Sequence, residues 1–80
     1  MIDKAFATVL RQLRKQKGFS QESFSFEVEL HRTYISQLER GMKSPSLRTI
    51  YKISQVLNVK LSDMMSMIQK EMSNVYSDEQ

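Results

Sequence analysis

"SQESFSFEVELHRTYISQLERG", residues 20–41, holds two short helical patterns with almost nothing between them. Ser20 is a good N-cap, and Glu22 follows in the first turn, where negative charge suits the helix dipole. Phe24 and Val28 lie four apart on one face, and Ser25 beside them is small enough for a close helix approach. This helix ends near Val28. Only Glu29, Leu30 and His31 separate it from a second helix over Arg32–Arg40, which Gly41 ends. A connection that short can send the second helix off at a steep angle instead of folding it back antiparallel. Phe24, Val28, Leu30, Ile35 and Leu38 are spaced to hold that angle with apolar contacts.

Pinning Ile35 and Leu38 inward leaves the other side of the second helix to solvent. Arg32, Thr33, Ser36 and Gln37 form one strip there, at i, i+1, i+4 and i+5. A DNA major groove admits one α-helix and offers base edges that Arg, Gln, Thr and Ser can read. These four are the candidate base-reading residues. Phosphate contacts are expected around the strip, where they set register and carry little sequence information. Gln21 opens the first helix of the pair, whose N-terminus presents free N–H groups. Arg40, Lys43 and Ser44 lie at or beyond the end of the second, and Thr49 lies further on. Tyr34 either lays its ring on the DNA backbone or the partner subunit, or covers the edge of the core. His31 is read as a passive turn residue, and Phe26 is expected to point outward.

Gly18, Gly41 and Pro45 are the only glycines and proline, so helices joined by short turns are expected throughout. An earlier helix spans about Asp3–Lys17, with Phe6, Leu10 and Leu13 on one stripe and Gly18 ending it. After Gly41, Ser44 can cap a fourth helix with Pro45 in its first position. Leu47, Ile50, Ile53, Ser54 and Leu57 face inward along it, and Asn58 closes it in a left-handed conformation. Ser62 caps a fifth helix, about Asp63–Asn74. No segment alternates in the manner of a strand. The expected fold is all-α, a compact five-helix domain over residues 1–74 with the helix pair at about 20–40 and a flexible tail over 75–80.

Eighty residues make one domain with a modest core. All twelve basic residues fall within residues 1–70 beside six of the nine acidic ones, a net +6 there against +3 for the whole chain. A basic body is compatible with a polyanionic partner. No apolar run reaches the ~20 residues a membrane span needs, and the start lacks a signal-peptide layout. With no cysteine, disulfides and thiolate metal sites are excluded, which fits a cytoplasmic location. Nothing suggests an enzyme or a cofactor. There is no His–carboxylate cluster, HExxH pattern or paired-carboxylate arrangement, and two glycines 23 positions apart make no phosphate loop.

Several elements also resemble the lambda-repressor-like, Cro/CI-type helix-turn-helix regulators. They are Arg11 and Arg14 with Leu10 and Leu13, then Gly18–Phe19–Ser20–Gln21. Ile35–Ser36–Gln37–Leu38–Glu39–Arg40–Gly41 and Pro45–Ser46–Leu47 follow in order. The resemblance covers about residues 5–65. It implies a five-helix transcriptional regulator, dimeric on a pseudo-palindromic double-stranded DNA operator, with RNA polymerase as a further partner. By position it implies a phosphate contact for Gln21, base reading by Arg32, Thr33, Ser36 and Gln37, and a structural role for Glu39 holding a basic residue such as Arg14. Stand-alone members of this size include restriction–modification controllers and small phage repressors. Three departures stand out. Glu29 occupies a turn position that is often Gly, Ser25 replaces a small Ala, and His31 takes a capping place usually held by Ser or Asp.

The fifth helix carries Met64, Met65, Met67, Ile68 and Met72 on a stripe too wide to turn wholly inward. Met64, Met67, Ile68 and Met72 are therefore the expected dimer surface, with Val75 and Tyr76 as extensions. The competing reading is a protein-interaction module, an antitoxin or adaptor that keeps the fold. The polar, basic strip on the third helix favours DNA, since an interaction module would carry apolar anchors there.

Overall fold

The computed structural model describes the backbone of residues 1–79 and side chains as far as Asn74. Five helices follow one another: α1 Ile2–Gln16, α2 Gln21–Val28, α3 Arg32–Glu39, α4 Leu47–Val56 and α5 Leu61–Glu79, with no strand among the described residues. α1 packs on α5 and α3, α2 on α3 and α4, and α4 on α5. One core joins all five: Phe6, Leu10 and Leu13 of α1, Phe24 and Val28 of α2, Ile35 and Leu38 of α3, Ile53 of α4 with Leu57, and Met64 and Ile68 of α5. Phe24 is fully buried, with the Phe19 ring 5.6 Å away at 58°. Burying one such side chain contributes about 2–3 kcal/mol.

The chain turns in the same way at the end of each of the first four helices. Gly18, Glu29, Gly41 and Asn58 all have positive φ (81°, 59°, 71° and 57°). Each donates its N–H back into the last turn, to Lys15, Phe26, Leu38 and Gln55 in order. The following residue then bonds to the carbonyl one residue further back: Phe19 to Arg14, Leu30 to Ser25, Met42 to Gln37 and Val59 to Ser54. These are Schellman closures, which satisfy the otherwise orphaned carbonyls of each helix end. Glycine or asparagine takes the left-handed position at three of them. Glu29 takes it at the fourth, inside the α2–α3 turn, at a steric cost of about 1–2 kcal/mol. Ser25 resolves its own departure by bonding Oγ to the Glu22 carbonyl at 2.8 Å.

Four expectations change. The α4 cap is Ser46, not Ser44: its Oγ accepts the Thr49 N–H at 3.1 Å, leaving Pro45 ahead of the helix. Leu47, the first residue of this helix, is 68% exposed instead of facing the core. α5 starts at Leu61, with the Lys60 carbonyl already accepting from Met64, so Ser62 is inside the helix and not its cap. Its helical backbone also continues beyond Asn74, to Glu79. The side chains of Val75 and Tyr76, and the mobility expected of residues 75–80, lie outside what is described.

Candidate nucleic-acid interface

Two helix N-termini build the site. At α2, the Ser20 hydroxyl accepts the Ser23 N–H at 3.0 Å and the Ser23 hydroxyl accepts the Ser20 N–H at 3.0 Å, a reciprocal box. At α3, His31 caps through its ring: Nδ1 accepts the Thr33 N–H at 3.2 Å. This acceptor role places the neutral imidazole's proton on Nε2. His31 thus fills the capping place that the sequence put it in, with a ring nitrogen where Ser or Asp would offer an oxygen. No acidic side chain occupies the first turn of α3, so its N-terminal dipole stands uncancelled beside Arg32.

Around these termini, Gln21, Arg32, Thr33 and Ser36 line a single shallow concavity. Arg32 and Thr33 are exposed, while Gln21 and Ser36 are half-buried at its base. Three of the four candidate base readers are thus gathered with one candidate phosphate contact. Gln37, the fourth, is half-buried and is not part of this concavity. Tyr34 is half-buried and packs against the edge of the core. Arg40 is exposed at the end of α3 and donates from Nε to the Ser36 carbonyl at 3.4 Å, while Lys43 and Ser44 are exposed beyond it. Thr49 is half-buried, with its hydroxyl accepting from Ser46 Oγ at 3.0 Å in the α4 cap.

A buried charge network underpins the concavity. Arg14 donates to Glu39 twice, Nε to Oε2 at 2.5 Å and Nη2 to Oε1 at 3.0 Å. It donates a third time, from Nη1 to the Phe19 carbonyl at 2.8 Å. Gln21 Nε2 donates to the same Glu39 Oε1 at 3.1 Å, and Arg11 Nη1 reaches the Glu39 carbonyl at 3.4 Å. The Arg14–Glu39 pairing matches the sequence expectation. The tie to Gln21 was not anticipated, because no local spacing links residues 18 positions apart.

The expected dimer surface on α5 is corrected in part. Met64 is fully buried and Ile68 is 3% exposed, because both belong to the core shared by α1 and α5. Neither can also meet a second subunit. Met72 is half-buried against the same core, and Met67 is exposed. The exposed large apolar side chains instead include Leu47 and Tyr51 of α4, at 68% and 50%, which share an open groove with Arg48 and Leu61. Phe26 is 81% exposed on α2, as expected. Among the described residues, no group of acidic or histidine side chains could hold a metal ion, and no helix is long and apolar enough to cross a membrane.

Residues 10–64 match the model of a family described as helix-turn-helix. The chain is 45% identical over 67 residues to the control protein C.MunI of a Mycoplasma species, covering 82% of this chain and 90% of that one. It is 48% identical over 61 residues to the control protein C.BamHI of Bacillus amyloliquefaciens, covering 75% of each. Among solved structures, it is similar to the restriction–modification controller protein C.Esp1396I, determined as a tetramer in complex with its natural 35-base-pair operator. There the TM-score is 0.81 at 28% identity, over 89% of this chain and 93% of that one.

Proposed function

This chain belongs to the helix-turn-helix family, and on that premise we propose that it is a transcriptional regulator that binds double-stranded DNA sequence-specifically and controls a restriction–modification system. The observation that carries this reading is the concavity shared by Gln21, Arg32, Thr33 and Ser36. It sets a cationic, bidentate-capable side chain and two hydroxyls at the tip of a helix narrow enough to enter a major groove. Arg32 is suited to guanine O6 and N7, and Thr33 to a thymine methyl or a base-edge acceptor. Gln37 reads from further along α3. Arg40, Lys43 and Ser44 hold the flanking phosphates, and Thr49 and Tyr34 stand behind them.

The working unit is a homodimer on a pseudo-palindromic operator, its two α3 helices about 34 Å apart in successive major grooves. We place the subunit contact at the Leu47–Tyr51–Leu61 groove, with Met67 as the part of α5 that remains available. Regulation follows from where the operator lies, by blocking RNA polymerase or by contacting it. A protein-interaction module is the weaker reading, since none of the exposed large apolar residues lies on α3. A selection from randomised duplexes tests the proposal. An enriched inverted repeat with half-sites one helical turn apart is the expected result, and no enrichment at modest ionic strength overturns it.

A further inference from the structure

Glu39 serves two helices beyond its own. Its Oε2 takes Arg14 Nε, and its Oε1 takes both Arg14 Nη2 and Gln21 Nε2. The residue is 3% exposed, too deep to touch DNA itself. Gln21 lies between this carboxylate and the concavity that holds Arg32, Thr33 and Ser36.

We propose that Glu39 is a positioning residue for DNA recognition: it fixes the Gln21 side-chain amide so that the amide's second N–H meets a backbone phosphate. This deepens the DNA-binding reading and rests on it. A carboxylate only accepts hydrogen bonds, so the nitrogen end of the amide must face Glu39 and the amide cannot flip. One Nε2–H is used there, and the other lies in the amide plane about 120° away. A phosphate oxygen is likewise an acceptor and needs that remaining N–H. A free glutamine would present its carbonyl as readily and repel the phosphate. Holding the side chain in the unbound protein also reduces the ordering cost at binding. The charge that does this work is matched by the Arg14 guanidinium, so a carboxylate can sit behind a DNA-facing residue without opposing the DNA.

The experiment compares Gln21→Met, Glu39→Asp and the double variant on the operator obtained by selection, by equilibrium binding and phosphate-ethylation interference. Glu39→Asp keeps the charge for Arg14 but withdraws the carboxylate by one methylene. Each single variant is expected to lose about tenfold in affinity, and the double variant no more than either alone. Both should lose interference at one and the same phosphate, while preference among base sequences is unchanged. Losses that multiply in the double variant overturn the positioning role. So does wild-type affinity and interference in either single variant. If the wild-type protein selects no duplex, the DNA-binding reading itself falls and this inference with it. If it selects a repeat and the losses multiply, only the positioning role falls. Should Glu39→Asp not fold, NMR of the wild-type protein decides. One Gln21 side-chain amide proton should exchange slowly before DNA is added, and the other should shift on adding operator; two protons that both exchange fast, with neither shifting on adding operator, overturn the proposal.

Discussion

Arg14 and Glu39 face each other fork to fork across 25 positions of sequence, one at the end of α1 and the other at the end of α3. Both are nearly inaccessible to solvent, with side-chain exposures of 9% and 3%. A guanidinium and a carboxylate held in this geometry satisfy each other bidentately. Replacing one of them strands the other's charge in a low-dielectric interior.

Arg14→Ala is therefore expected to destabilise the domain by about 3–5 kcal/mol. That is a large part of what a domain of 80 residues has in total. Urea unfolding followed by circular dichroism measures it. A loss below about 1 kcal/mol would mean that water reaches the pair.

Glu29→Gly should move stability the other way. The native φ of 59° disfavours a side chain but not glycine. Relief of that steric cost, set against the greater backbone entropy of glycine in the unfolded chain, leaves a net gain of about 0.5–1 kcal/mol. The thermal midpoint should rise by roughly 4 °C. A fall would show that the Glu29 side chain makes a contribution its geometry does not reveal.

Arg32→Ala and Lys43→Ala should separate base reading from phosphate binding. Arg32→Ala is expected to remove about 1–3 kcal/mol of discrimination between operator and random DNA. Lys43→Ala should weaken both alike and lower the slope of log affinity against log salt by about one. Titrations at several salt concentrations on both duplexes distinguish the two. Equal losses on both duplexes for Arg32→Ala would reassign it to the phosphates.

Leu47→Glu should shift sedimentation from dimer to monomer while changing monomer stability by no more than about 0.5 kcal/mol, since this side chain is 68% exposed. Ile68→Asp should instead unfold the domain, because its side chain is buried in the core. A Leu47→Glu protein that sediments as the wild type does would move the subunit contact elsewhere.

Most of the fold was legible because its signals are local. Gly18, Gly41 and Asn58 marked three helix ends by conformational preference, and Phe6, Leu10, Leu13, Phe24, Val28, Ile35 and Leu38 marked the inner faces by spacing. The α4 start misled because two serines flank Pro45, and only the bond from Thr49 to Ser46 tells them apart. Leu47 misled as well: helical spacing groups it with Ile50 and Ser54, but it stands at the first position of the helix, where it is 68% exposed. Met64 and Ile68 misled for the opposite reason: a stripe records apolarity but not which neighbour covers it. At the candidate site, the grouping of Arg32, Thr33 and Ser36 was readable from helical spacing. The bond from Gln21 to Glu39 was not, since it depends on how α2 and α3 cross.

A Cβ placed on Gly41 would lie 3.4 Å from the Lys4 Cα, so the close of α3 rests directly on the backbone of the first turn of α1. With Arg14 bolting the other end of α1 to Glu39, α3 is anchored twice to one strut and has little freedom to re-aim. On the proposed reading of DNA by α3, new operator preferences in descendants of this chain should therefore arise by exchanging letters at 32, 33, 36 and 37, leaving the tilt of the helix as inherited.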